Sequence, residues 1–233
     1  MTSPDTPLPR ALRLLWQQDQ APRRSHGLTR EAIVAAAVEL ADTDGLGALS
    51  MARLAERLGC GTMSLYRHVA NKDELVTFML ATGPGPPPLR PEGTDWRGAL
   101  TNWAHELWNT YHRHPWILQI ASAGPPTDPG QLAWLDAGLN TLSGTALTER
   151  EKLAAVIAVL VFTRGSAALA IEARGVDDSD YPALLRRLVE PARFPALAAA
   201  IDAGAFDQSD DSPLTEFHSG LDQLLDGIAA KAG

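Results

Sequence analysis

Twelve consecutive residues, Gly83 to Thr94, read GPGPPPLRPEGT, and no regular element can run through them. Each proline fixes φ and removes a backbone donor, so a helix on one side cannot continue to the other. The chain therefore divides into an amino-terminal extension (1–28), a small module (29–82), this linker (83–94) and a larger module (95–233). Of its 233 residues 45% are hydrophobic, and they are spread along the whole length, which is enough for one or two packed cores.

Apolar residues recur at helical spacing on both sides of the break, and no convincing alternating run bounded by hairpin turns is found, so the chain reads as all-α. In the small module Thr29 caps a helix with Ile33, Val34, Ala37, Val38 and Ala41 on one face, which stops near Gly45 and Gly47. Ser50 caps a shorter helix that turns Leu54, Ala55 and Leu58 inward and ends at Gly59. A third runs from about Thr62 to His68, and a fourth follows Asn71 with Leu75, Phe78, Met79 and Leu80 for the core. In the larger module Asp95 caps a helix carrying Trp96, Leu100, Trp103, Leu107 and Tyr111, which Pro115 ends. Further helices are expected over 131–142, 148–174, 181–188, 194–203 and 213–230.

The spacing of Ala55, Gly59 and Leu65 is that of a helix-turn-helix. A small residue lets two helices approach, a glycine four positions on supplies the left-handed turn, and a leucine six further anchors the second helix. Such a unit lays its second helix in the major groove of DNA, within reach of Thr62, Met63, Ser64 and Arg67. The same spacing also fits a helical hairpin inside a larger bundle. Against that stand Tyr66, His68 and Lys72, polar groups on the same module that suit phosphates.

Charge agrees with a nucleic-acid contact confined to this part of the chain. The net charge is -8, yet residues 1–81 balance, so all the excess acid lies beyond them. Arg10, Arg13, Arg23, Arg24 and Arg30 face only Asp19 before Glu31 and form a local basic arm. Leu8, Leu12, Leu15 and Trp16 cluster on an amphipathic helix in the extension, which either packs on the small module and delivers Arg23 and Arg24 to the minor groove or is a disordered leader. A lone cysteine, Cys60, excludes an intrachain disulfide framework and suits a reducing compartment, so the cytoplasm is expected. No signal peptide is recognised, and no apolar run looks long enough to span a bilayer, the best of them, 153–162, being interrupted at Arg164.

The stretch from Leu54 through Leu58-Gly59 to Leu65-Tyr66-Arg67-His68-Val69 and Asn71-Lys72-Asp73-Glu74-Leu75 resembles the DNA-binding module of the TetR-type transcriptional repressors over about fifty residues. The resemblance implies that Tyr66 and Lys72 bind phosphates, that Thr62 to Arg67 read bases, and that Ser50 or Met51 opens the second helix against the DNA backbone. Asp95-Trp96-Arg97, His114-Pro115-Trp116 and 132–142 look like the carboxy-terminal domain of the tetracycline-repressor branch. That likeness implies a homodimer through the helices near 148–174 and 213–230. It also implies a ligand-responsive repressor that binds a palindromic operator in double-stranded DNA and is released by a small effector. A two-fold dimer reading two half-sites is physically sensible, because one helix-turn-helix covers little DNA.

The histidine through which tetracycline repressors hold a magnesium–drug complex falls near Ala121, which speaks against that ligand. By the same alignment the pocket is lined by Trp103, Leu107, Trp134, Leu135, Gly138 and Phe162, a set that suits a hydrophobic or aromatic molecule. His105, His112 and His114 invite a metal, but only His105 and His112 share a helix face and the ligand set is incomplete. No metal and no cofactor is expected. Cys60 reads as a small packing residue. No phosphate loop, nucleophile elbow or HExxH is present, so an enzyme has no site to stand on. The rival reading is a helical ligand-binding or protein-interaction module that no longer binds DNA in a sequence-specific way.

Overall fold

The computed structural model describes residues 8–17, 27–120, 125–174, 181–207 and 212–232, and every regular element among them is helical. The amino-terminal helices are α1 (Arg10–Trp16), α2 (Arg30–Asp44), α3 (Met51–Arg57), α4 (Thr62–Tyr66) and α5 (Lys72–Thr82). After the proline-rich segment follow α6 (Trp96–Arg113), α7 (Trp116–Ile120), α8 (Pro129–Thr141), α9 (Glu149–Glu172), α10 (Tyr181–Leu188), α11 (Pro195–Asp202) and α12 (Pro213–Ala232). Arg23 and Arg24, expected to enter the minor groove, and Ala121 lie outside the described residues.

Local chemistry sets the helix starts. Thr29, Ser50, Asn71, Asp95 and Asp128 each turn a side-chain oxygen onto the backbone N–H three residues ahead, at 2.8–3.2 Å. Thr148 and Glu151 form a reciprocal capping box at the head of α9. Ends are set by glycine where the chain must turn left-handed, as at Gly45 with φ +79°.

The proline-rich segment separates two groups of helices in sequence, but the core is continuous between them. Buried residues run in one cluster from Ala11 and Leu15 through Ile33, Leu54 and Phe78 to Trp103, Trp116, Val156 and Leu225. α6 packs against α8 and α9, α12 lies on α9, and α5 lies on α1, α2 and α8. The segment itself is laid onto α8. The Trp134 indole N–H donates to the Gly85 carbonyl at 3.0 Å, and Arg90 donates to the Asn140 carbonyl and Ser143 hydroxyl at 3.1 and 2.9 Å.

Gly130 and Gly138 stand at helix crossings with no room for a side chain. A β-carbon on Gly130 would stand 2.0 Å from the Ala81 carbonyl oxygen, where the end of α5 meets the start of α8. One on Gly138 would stand 2.8 Å from Val156 and 3.0 Å from the Trp103 ring, where α8 meets α9 and α6. Both positions need glycine for space, not for φ.

α9 corrects one reading of the sequence. It has 24 residues and a mean hydropathy of 2.0 over its most apolar window, so by length and composition it is long and apolar enough to cross a membrane. Arg164 does not break it. Ala155, Val156, Val159 and Ala167 are buried on one side, while Leu153, Ile157, Val161 and Leu169 are 40–70% exposed on the other. A helix apolar on both faces is one that has something to bury on both.

Thr163, fully buried on α9, carries the one buried side-chain polar atom without a hydrogen-bond partner among the described residues. Valine has the same shape and no hydroxyl to desolvate. Thr163→Val is expected to stabilise the fold by about 1 kcal/mol, raising Tm by about 2–4 °C in a thermal melt, whereas Thr163→Ala opens a cavity and lowers it.

Candidate nucleic-acid interface and effector cavity

The turn between α3 and α4 is built as the sequence requires. Gly59 sits at φ +63°, its N–H reaches the Glu56 carbonyl at 3.0 Å, and the Cys60 N–H reaches the Ala55 carbonyl at 3.0 Å. Leu54 and Ala55 of α3 and Leu65 and Val69 at α4 are buried and root the pair. With Leu65 inward, the outward face of α4 is fixed by helical periodicity. Met63 is 75% and Tyr66 46% exposed, Arg67 is exposed, and Thr62, Ser64 and His68 are half-buried beside them. Lys72, the first residue of α5, is exposed next to this face. Met51 is half-buried at the start of α3, and the Ser50 hydroxyl is occupied by the Arg53 N–H at 3.2 Å.

The cations on this module divide in a way that sequence spacing did not reveal. Arg53 pairs with Asp44 at 2.8 Å and Arg57 with Glu39 at 3.0 Å, both across from α3 to α2. Arg67 and Lys72 make no ion pair among the described residues, which leaves them as the cations of the outward face. The position of Lys72 is determined by its neighbours. Glu74, 8% exposed, accepts from the Ala70 N–H at 3.2 Å and pairs with Arg10 of α1. The extension helix therefore packs on α5, with Ala11 and Leu15 buried, and Trp16 donates to the Thr127 carbonyl at 3.2 Å.

A cavity of about 200 Å³ lies between α6, α8 and α9, walled by Trp103, Leu107, Trp134, Leu135, Ile157 and Leu160. Four of the six residues expected to line it do so. Gly138 and Phe162 do not: Gly138 is taken up by the close crossing with Trp103 and Val156, and Phe162 faces α12, stacked on Phe217 at 5.8 Å and pressed against Gly220. Sequence reasoning missed Leu80 of α5, Ile117 of α7, Thr110, Tyr111, Gln131 and Arg164, all in the wall. A charged residue in the middle of an otherwise apolar helix was the available signal for Arg164.

Polar contacts fix the walls. The Trp103 indole donates to the Trp134 carbonyl at 3.0 Å, the Gln131 backbone N–H to Asp128 Oδ1 at 2.9 Å, and Arg164 to the Leu118 carbonyl at 2.8 Å. Burial pushes the Tyr111 hydroxyl up to about 12, against a smaller opposing effect of the Arg164 charge, so it remains a neutral donor. The three histidines go separate ways. His105 lies against His218 of α12, with ring centres 5.5 Å apart, and His112 bonds the Trp108 carbonyl. His114 and the Trp116 indole both donate to Asp42 Oδ1 of α2, at 2.8 and 2.7 Å. No group of three or more metal-ligating side chains is found among the described residues.

Comparison with known proteins agrees over nearly the whole chain. Residues 33–77 match the family described as bacterial regulatory proteins, tetR family, and residues 87–232 match the tetracyclin repressor-like, C-terminal domain. The chain belongs to the TetR family, whose members bind DNA operators and small-molecule effectors and act as dimers, and it is a ligand-responsive, DNA-binding transcription repressor. It is 33% identical over 241 residues to the HTH-type transcriptional repressor DrrR1 of Streptomyces coeruleorubidus, covering 97% of this chain and 87% of that one. It is 29% identical to the class A tetracycline repressor protein from transposon 1721 in Escherichia coli, covering 85% and 89%. Among solved structures it is similar to the TetR family protein ActR of Streptomyces coelicolor in complex with actinorhodin. The TM-score is 0.76 at 25% identity, covering 90% of this chain and 99% of that one.

Lys72→Ala is expected to weaken binding to duplexes of any sequence by a similar factor and to flatten the salt dependence by about one unit of log Kd per log salt, measured by fluorescence anisotropy. In a spectrophotometric titration Tyr111 should ionise only near 12. Because the folded value is raised, this tyrosine's contribution to stability is whole below about pH 10 and is lost as pH rises through 12.

Proposed function

We propose that the chain acts in the cytoplasm as a homodimer on a palindromic operator, that an apolar or aromatic effector entering the Trp103–Trp134 cavity releases it, and that it catalyses no reaction. Leu80 is the observation that carries this reading. It stands in the cavity wall, and it belongs to α5, whose other end bears Lys72. Eleven helical residues make a lever about 16 Å long. A molecule that presses on Leu80 tilts the lever, moves Lys72 and the neighbouring α4, and changes the separation of two reading heads that must span about 34–36 Å on DNA. The effector must bind the tilted conformer more tightly, and the shift cannot exceed that difference in affinity.

The dimer supports the same reading. The exposed stripe Leu153, Ile157, Val161 and Leu169 on α9 is too apolar and too continuous for a free surface, and α12 lies alongside it. Two such pairs form a four-helix contact. The names of the relatives point in the same direction, one a repressor and one a regulator solved with a small molecule bound.

Leu169→Glu, at the 70% exposed end of the stripe, should convert dimer to monomer in analytical ultracentrifugation and weaken operator binding by at least about 100-fold, since one half-site supplies a fraction of the contacts. If the unaltered dimer showed no salt-dependent preference for palindromic segments upstream of its own gene over random duplex, the reading would be wrong.

A further inference from the structure

Two polar groups of the cavity wall, Tyr111 on α6 and Arg164 on α9, lie within electrostatic reach of each other. Among the described residues of its lining Arg164 is the one that carries a charge, and Tyr111 is close enough to feel it. Tyr111 is 5% exposed, yet its hydroxyl makes no hydrogen bond to a described residue. The hydroxyl belongs to the cavity wall, so a ligand acceptor placed there makes a bond that the fold leaves unmade. The bond from Arg164 to the Leu118 carbonyl anchors the guanidinium against the wall shared by α7 and α9. A guanidinium offers five donors in a planar fork that matches an anionic oxygen group. Most of the remaining lining is apolar, with Trp103 and Trp134 at a ring separation of 6.4 Å.

We infer that the effector is a planar, largely apolar molecule bearing one anionic oxygen group, a carboxylate or an ionised phenol, seated between the Tyr111 hydroxyl and the Arg164 guanidinium. The inference rests on the cavity being the effector site. A cationic compound of the same shape meets Arg164 with like charge in a water-poor wall and is rejected. A neutral isostere keeps the apolar contacts and loses the charge-assisted bond. Arg164 is then the residue that sets effector specificity. It also touches the route to DNA, because the Leu118 carbonyl it holds lies two residues beyond Trp116, which is bonded to Asp42.

Calorimetric titration of the full chain with 2-naphthoate, 2-naphthamide and 2-naphthylmethylammonium tests this. The acid should bind at least about tenfold more tightly than the amide, and the ammonium more weakly than either. Arg164→Met should abolish the preference for acid while leaving the amide within about twofold, Arg164→Lys should restore part of it, and Tyr111→Phe should weaken the acid more than the amide. If Arg164→Met does not fold, Arg164→Lys and Tyr111→Phe carry the same comparison. Equal binding of acid and amide, no binding of the acid up to millimolar concentration, or a preference that survives in the variants overturns the inference. Leu107→Trp, which fills the cavity, separates the two layers of argument. Unchanged binding of both probes there overturns the cavity as effector site. Loss of both there, with no acid preference in the unaltered protein, overturns only the role given to Arg164.

Discussion

The structure hangs on one backbone crossing. Gly130 brings the start of α8 against the Ala81 carbonyl at the end of α5, nearer than any side chain would permit. That contact makes the helix that carries Lys72 and the helix that carries Trp134 a single mechanical piece, even though nearly fifty residues and a proline-rich segment lie between the two glycine and alanine positions. A second tie lies to one side of it, where the Asp42 carboxylate takes hydrogen bonds from His114 and Trp116. The first tie is steric and hard to stretch. The second is polar and can exchange with water at little net cost. Under the proposed release, the reading head would pivot about the stiff tie.

This arrangement explains why the cavity sits where it does. Its wall includes Leu80 from α5 and Ile117 from α7, beside residues of α6, α8 and α9 and the loop prolines Pro84 and Pro126. Filling the space pushes on elements that belong to the two ties. The tryptophans that form the wall are themselves hydrogen-bonded, Trp103 to the Trp134 carbonyl and Trp134 to the Gly85 carbonyl, which supports the proposal that the effector's load passes to α5 and α7.

The helices and their starts were legible because caps are local. Thr29, Ser50, Asn71, Asp95 and Thr148 each act on an N–H three residues away, and the pattern stands in the sequence. The turn glycine and the outward face of α4 were legible for the same reason, since Leu65 inward fixes Met63 and Tyr66 outward. The cavity was only partly legible. A leucine, glycine or phenylalanine on an apolar helix can face a void or a neighbour, and crossing geometry decides which, so Gly138 and Phe162 went to helix contacts while Leu80 and Ile117 came from elements outside the expected set. The pairs Arg53–Asp44 and Asp42–His114 join residues 9 and 72 apart, spacings that no helical periodicity announces.

The bond between Arg10 and Glu74 redraws the border of the DNA-binding unit. Glu74 is buried, and apart from one backbone N–H its compensation comes from a helix that begins nineteen residues before the cap of α2. A fragment cut at Thr29 would keep every residue of the helix-turn-helix and still leave this carboxylate facing apolar neighbours without its counter-charge. The smallest autonomous reader is therefore larger than its own motif, and α1 belongs to it as much as α5 does.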